Sequence, residues 1–328
     1  MVVPVWAWVA VIGGLLVVLA IDLWVVDRGE AREFSMKQAS FWVSFYVLLA
    51  VAFGVTVWIL EGGTKAGEFF AGYITEYSLS VDNLFIFFII MSKFAVPKEY
   101  QHKVLLVGIL LALVMRGIFI AIGAAALVRF SWLFYIFGAF LLYTAYTIVR
   151  DHLKGEQEDV PENILLRWVR KTFPTTDDYV GSKITVKIDG KRMVTPMLIV
   201  MIAIGSTDLL FAVDSIPAIF GLTTDPFIVF TANAFALMGL RQLYFLLGGL
   251  LQRLVYISYG LAFILGFIGV KLVMEALHSS GFSWAPEVPI SVSLSVIGGT
   301  MVVTTVASLL KSRSDARKGV EPSQSGAS

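Results

Sequence analysis

Glu76-Tyr77-Ser78-Leu79-Ser80-Val81-Asp82-Asn83 is an acidic stretch inside an apolar run of helix length. A carboxylate at mid-membrane depth costs about 2.5–3.5 kcal/mol even on lenient insertion scales, so two within seven positions need a reason. A second copy lies further on, Thr207-Asp208-Leu209-Leu210-Phe211-Ala212-Val213-Asp214-Ser215. Both copies read Thr, acid, five residues, Asp, small polar residue, with Val before the Asp. The chain therefore reads as two membrane half-structures built around these copies.

The composition fits that reading. Apolar residues make up 58% of the 328 and charged residues 15%, against about 25% charged in soluble domains, which marks an all-α polytopic membrane protein. A net charge of +1 gives no footprint for nucleic acid. The chain has no Cys, which excludes disulfides, thiolate metal sites and thiol redox sensing. The first apolar run ends in Leu23-Trp24-Val25-Val26 without a small-residue cleavage site and reads as a retained helix.

Apolar stretches of about 20 residues, enough to span a bilayer, fall near 3–26, 40–60, 67–92, 103–128, 131–150, 195–220, 226–250, 254–275 and 288–310. Nine helices are expected. Lys and Arg concentrate in 27–39, 93–103, 151–194 and the tail, and follow helix seven as Arg253. The alternate loops hold little, which predicts the N-terminus outside and the C-terminus in the cytoplasm. The expected division is residues 1–150 as helices one to five, a basic cytoplasmic insert at 151–194, 195–310 as helices six to nine, and a disordered tail at 311–328. Within the insert, 161–173 suits an amphipathic helix on membrane lipids. Thr185–Ile188, Asp189-Gly190 and Lys191–Val194 read as a β-hairpin. Aromatic residues at 130–137 suit an interfacial belt.

Helices three to five carry the first acidic motif, then Arg116, then Tyr135; helices six to eight carry the second, then Arg241, then Tyr256. Two three-helix units enter the membrane from opposite sides, so an inverted repeat is expected, with its site at the unit interface. On an ideal helix Glu76 and Asp82 are about 120° apart in azimuth and about 9 Å apart in height. Pro217 withholds a hydrogen bond from the carbonyl of Val213, which predicts a broken or bent segment at Val213–Pro217 and an acceptor beside Asp214.

At membrane depth Asp22, Glu76, Asp82, Asp208 and Asp214 oppose Arg116 and Arg241, with Glu68 and Lys271 nearer the helix ends. If all are ionised the balance is minus three, which low dielectric does not tolerate without cations or protons. An oxyanion site would need the opposite sign. The donors, Asn83, Asn233, Ser215 and the carboxylates among them, are hard oxygens, and His102, His152 and His278 lie in loops or at helix ends. Such a set suits Mg2+, Ca2+ and Mn2+ as transported ions rather than zinc or copper. The metal ligands expected are Glu76, Asp82, Asn83, Asp208, Asp214 and Ser215, with Glu68, Asp22 and Asn233 as auxiliaries and Arg116 and Arg241 as structural countercharges. Asp22 also fits a snorkelling residue, and Asn233 a tie between helices.

The blocks SLSVDNLFIF, FAVP, WLFYIFGAFLLYT, DLLFAVDSIPAIFGLTTDPFIV and TANAFALMGLRQLYFLL resemble the TerC family of bacterial integral membrane proteins, from about residue 20 to 310. The resemblance is closest to the branch of Alx-type manganese exporters. It implies a bacterial inner-membrane protein that exports a divalent cation, Mn2+ foremost, in exchange for protons, with the residues just named at the family's acidic motif positions. One departure is Gly205, where the family often has a Glu. The family is named for tellurium resistance. Its rival implication is a metal-binding membrane anchor for stress-response partners, without transport. Paired membrane aspartates also serve intramembrane proteases, but the signature around their second Asp is absent, and no enzyme is expected.

Overall fold

A computed structural model describes residues 3–26, 36–130, 132–154, 175–176, 178–188, 191–247, 256–280, 282, 285–286 and 288–317. Its helices, among these residues, are α1 (Val5–Val26), α2 (Met36–Glu61), α3 (Gly63–Lys93), α4 (Lys98–Arg129), α5 (Leu133–Lys154), α6 (Pro196–Phe220), α7 (Pro226–Met238), α8 (Leu240–Leu247), α9 (Ile257–Ser279) and α10 (Ile290–Arg317). An antiparallel hairpin, β1 (Thr185–Ile188) and β2 (Lys191–Val194), precedes α6. In lipid every backbone polar group must be satisfied within its segment, which is why these long apolar runs are helical. Seven helices among the described residues are long and apolar enough to cross a membrane, α7 and α8 counting as one run. α1 and α6 contribute shorter apolar stretches, Val5–Ile21 and Pro196–Leu209. The protein is an all-α polytopic membrane protein.

The two motif helices lie at the centre. α3 and the α7–α8 run are buried over most of their length, whereas α2, α5 and α10 turn most of theirs outward. α3 packs on α7 and α4 on α6, and each pair runs in one direction. In the first pair Gly72 meets Ala232 on α7, and further along α3 Phe88 meets Tyr244 on α8, which continues the α7 run. Gly108 meets Ile204 and Gly123 meets Phe220 in the second. α3 and α6 also touch, running oppositely, with Gly72 beside Ile219. α5 and α9 are antiparallel and pressed together: a Cβ on Gly138 would lie 2.9 Å from the Gly269 carbonyl oxygen, and one on Gly269 3.0 Å from the Gly138 oxygen. Small residues permit such backbone approach where hydrophobic exclusion gives no drive between helices. Exchanging α3–α5 for α6–α9 turns the α3–α7 contact into α6–α4 and the α3–α9 contact into α6–α5. The α3–α6, α4–α7 and α5–α9 contacts map onto themselves.

Connections group into two sets. Lys65 and Glu68 reach the α6–α7 loop at Asp225 and Thr223, and the Tyr135 hydroxyl lies 3.0 Å from that of Ser280. On the other side the hairpin segment docks on the α3–α4 turn: Tyr179 donates to the Phe94 carbonyl at 2.8 Å and Lys103 to Ser182 at 3.3 Å. Burial pushes the Tyr179 phenol above its ordinary value. The α3–α4 turn carries a Schellman closure, Val96 N to Met91 O and Ala95 N to Ser92 O, both 2.9 Å. Its left-handed position, φ 47°, is held by Ala95 rather than glycine.

Several boundaries differ from the sequence reading. The stretch expected as one helix over 226–250 is interrupted at Gly239, a weak helix former, between α7 and α8. Of the broken or bent segment expected at Val213–Pro217, the break is not found; α6 runs as one helix to Phe220. Pro217 sits in the last turn, where the one missing donor does not stop a helix that ends three residues later. The tail expected to be disordered from 311 is helical to Arg317. The hairpin pairs as its sequence predicts, Thr185 opposite Val194 and Ile188 opposite Lys191. The amphipathic segment 161–173, the Asp189-Gly190 turn and residues 318–328 lie outside the described residues.

Candidate ion site

α4 passes α6 closely at Gly205, the position where the resemblance departs from the family; a Cβ there would meet Leu111 Cδ2 at 2.4 Å. The same helix pair brings Arg116 to Asp208. The guanidinium Nε and Nη2 face the Asp208 oxygens Oδ2 and Oδ1, both at 3.4 Å, in a two-pronged arrangement. Nη1 donates to Glu76 Oε1 from α3 and to Ser215 Oγ on α6 at 3.1 Å. Ser80, one turn along α3, lies 3.5 Å from the same Glu76 oxygen. Glu76, Arg116, Asp208 and Ser215 are each at most 2% exposed. The two matched acids, 132 positions apart in the chain, thus meet on one cation at the contact of the two motif helices.

Buried charges persist when paired and hydrogen-bonded, and breaking such a pair costs about 3–5 kcal/mol. Arg116 supplies that pairing, but one positive charge faces two carboxylates. Glu76 Oε2 is buried and accepts no hydrogen bond from the described residues. The same holds for Thr75 Oγ1 on α3 and for both amide atoms of Asn233 on α7. Asn233 therefore ties to no described residue, and the buried oxygens on α3 and α7 without a described partner are of the hard type.

Asp82 and Asp214 lie on α3 and α6, and Asp22 on α1, with side chains outside the described ones. Asn83 is buried on α3, and Arg241 is buried on α8. Among the described residues no group of three or more His, Asp or Glu is positioned to hold a metal. Glu68 stands apart from Arg116, about 12 Å along α3 from Glu76 at 1.5 Å per residue, where it accepts from Lys65 at 2.7 Å and from Thr223.

The chain matches the Integral membrane protein TerC family over residues 61–316. The chain belongs to the TerC family. An uncharacterized membrane protein of Mycobacterium tuberculosis (strain ATCC 25618 / H37Rv) is 44% identical over 320 residues, covering 93% of this chain and 81% of the relative. An uncharacterized membrane protein of Myxococcus xanthus is 42% identical over 307 residues, with 93% and 92% covered. Alx of Escherichia coli (strain K12), which carries the provisional name of a membrane-bound redox modulator, is 39% identical over 309 residues, with 92% of each covered. No solved structure matches.

This TerC protein brings together three of the expected ligands, Glu76, Asp208 and Ser215, around Arg116. Sequence reasoning read Thr75 as part of the repeated motif but not as a buried donor, and named Glu68 without its cluster with Lys65, Thr223 and Asp225. Asp225 had a signal: Asp before Pro226 and an apolar run marks a helix N-cap. Its Oδ1 indeed accepts from Phe227 N at 3.0 Å.

Proposed function

We propose that this TerC protein exports a hard divalent cation, Mn2+ foremost and Ca2+ or Mg2+ as its chemical alternatives, across the bacterial inner membrane, with protons moving the other way. The observation that carries the reading is the meeting of Glu76 and Asp208 at the α3–α6 contact, both fully buried in matched motifs. The four motif acids Glu76, Asp82, Asp208 and Asp214 against Arg116 and Arg241 leave two negative charges, the charge of one divalent ion. The contributing ligands are Glu76, Asp82, Asn83, Asp208, Asp214 and Ser215, with Asn233 as auxiliary and protons replacing the metal after release.

The arrangement in the bilayer is nine spans, N-terminus outside and C-terminus in the cytoplasm, with α3–α5 and α6–α9 as an inverted repeat. The opposed directions of α3 and α6, and the way contacts exchange between units, support that plan. The grouping of the basic 93–103 and 151–194 segments on one side supports the orientation.

Expression in a strain lacking its manganese exporter should lower cellular manganese and restore growth in Mn2+. Asp82→Asn and Asp214→Asn should abolish protection at unchanged protein level. Protection by both variants equal to that of the parent sinks the reading. The docked hairpin segment, with Lys183, Lys187 and Arg192 exposed, favours a second reading, a metal-binding anchor for stress-response partners. Metal binding without flux would select it. The absence of Cys keeps thiol chemistry out of either reading.

A further inference from the structure

We propose that Arg116 is a tethered counter-cation that occupies the site until a divalent ion displaces it, so that the site selects its cargo by charge. The inference deepens the exporter reading and rests on it. Arg116 is 1% exposed and holds both oxygens of Asp208 and Oε1 of Glu76. A guanidinium stays protonated and has five donors and no acceptor, so it neutralises carboxylates permanently and leaves only by moving. Metal and guanidinium cannot share these oxygens at once. Of the four carboxylate oxygens of the pair, Glu76 Oε2 is the one that accepts nothing from the described residues. A metal can take it before Arg116 moves.

The charge arithmetic gives the selection. The displaced guanidinium keeps its charge, so it stays in the count: the four motif acids against Arg116 and Arg241 leave two negative charges, which one divalent ion removes and one monovalent ion only halves. A monovalent ion brings no more charge than the guanidinium it would replace, and it has no fork of donors to match the carboxylate. Na+ and K+, abundant in any cell, are thereby excluded without a narrow cavity. Displacement also has a mechanical consequence. Arg116 bonds Glu76 on α3 and Asp208 and Ser215 on α6, so it ties the central helices of the two units together. When the carboxylates take metal, Nη1 can stay on Ser215 Oγ, 3.1 Å away, while the tie to α3 is released.

The test is Mn2+ binding to the purified full chain in nanodiscs, measured by calorimetry with and without excess Na+. The parent should bind Mn2+ with little response to Na+, and Glu76→Gln and Asp208→Asn should lose binding. Arg116→Gln should bind Mn2+ at least about tenfold more tightly, since losing a neighbouring opposite charge is worth one or more pK units at a carboxylate. It should also become sensitive to Na+, with Arg116→Lys intermediate. A folded Arg116→Gln protein that binds Mn2+ no more tightly than the parent and ignores Na+ overturns the proposal and leaves Arg116 a brace. A parent that shows no Mn2+ binding dependent on Glu76 and Asp208 overturns the exporter reading and this proposal with it. If the Arg116 variants do not fold, a structure of the Mn2+-loaded parent decides. Arg116 withdrawn from Glu76 or Asp208 upholds displacement, and Arg116 still bonded to both overturns it.

Discussion

Glu76 and Asp208 share one guanidinium, reached from helices that run in opposite directions. Each acid therefore holds the other's counter-ion in place. Truncating either to Ala leaves the guanidinium balanced by the other acid but removes its charge-assisted hydrogen bonds, a loss of about 1.5–3 kcal/mol. Glu76→Gln keeps an acceptor for Nη1 and should cost less than Glu76→Ala. Thermal unfolding in one detergent ranks them; equal midpoints for parent and Glu76→Ala would refute the buried pair.

A second expectation concerns the seam between α5 and α9. At Gly138 and Gly269 each added Cβ meets the other helix's backbone oxygen, at 2.9 and 3.0 Å, so neither can be relieved by rotating a side chain. Gly138→Ala and Gly269→Ala should each destabilise by about 1–3 kcal/mol. Since both wedge one contact, the double variant should cost less than the sum. Additive losses would place the two glycines in separate contacts.

The α3–α4 turn offers a gain. Ala95 adopts φ 47° at the position where a Schellman motif favours glycine, and a left-handed L-residue costs about 1–2 kcal/mol. Ala95→Gly should raise the unfolding midpoint, offset in part by glycine's greater freedom in the unfolded chain. A lowered midpoint would mean that the Ala95 methyl packs to more effect than its backbone strains.

Much of this architecture is legible in the chain because lipid enforces it. Apolar length finds seven spanning helices among the described residues, against the nine expected, with shorter apolar stretches in α1 and α6; a helix period applied to Thr185–Val194 would fail where an alternating one succeeds. The internal repeat shows because Glu76 and Asp208 precede Asp82 and Asp214 by the same interval. What spacing could not give is which groups meet. Arg116 and Arg241 look alike in sequence, yet the packing of α4 against α6 joins Arg116 to Asp208, and the same side chain reaches Glu76 on α3. Pro217 misled for a related reason. Its rule concerns one backbone bond, while packing of Ile216, Ala218, Ile219 and Phe220 holds the last turn of α6.

The Tyr179 contact carries a pH signature. Its phenol titrates above the ordinary value, about 10, because burial disfavours the phenolate. A group raised in the folded state contributes stability that is complete below that ordinary value and is lost as pH rises through the folded one. Hydrogen exchange in β1 and β2 should therefore rise, beyond its intrinsic base dependence, only above about pH 10, and Tyr179→Phe should remove that extra rise. The same profile in both proteins would detach hairpin docking from Tyr179.

Flux bears on the central claim most directly. Purified protein in sealed proteoliposomes, oriented inside-out, should carry Mn2+ inward, faster when the lumen is acid relative to the bath. Glu76→Gln, Asp82→Asn, Asp208→Asn and Asp214→Asn should each lower the rate to that of empty liposomes. Mn2+ movement that is equal in protein-containing and empty vesicles, or unchanged in all four variants, would contradict export through the paired acids.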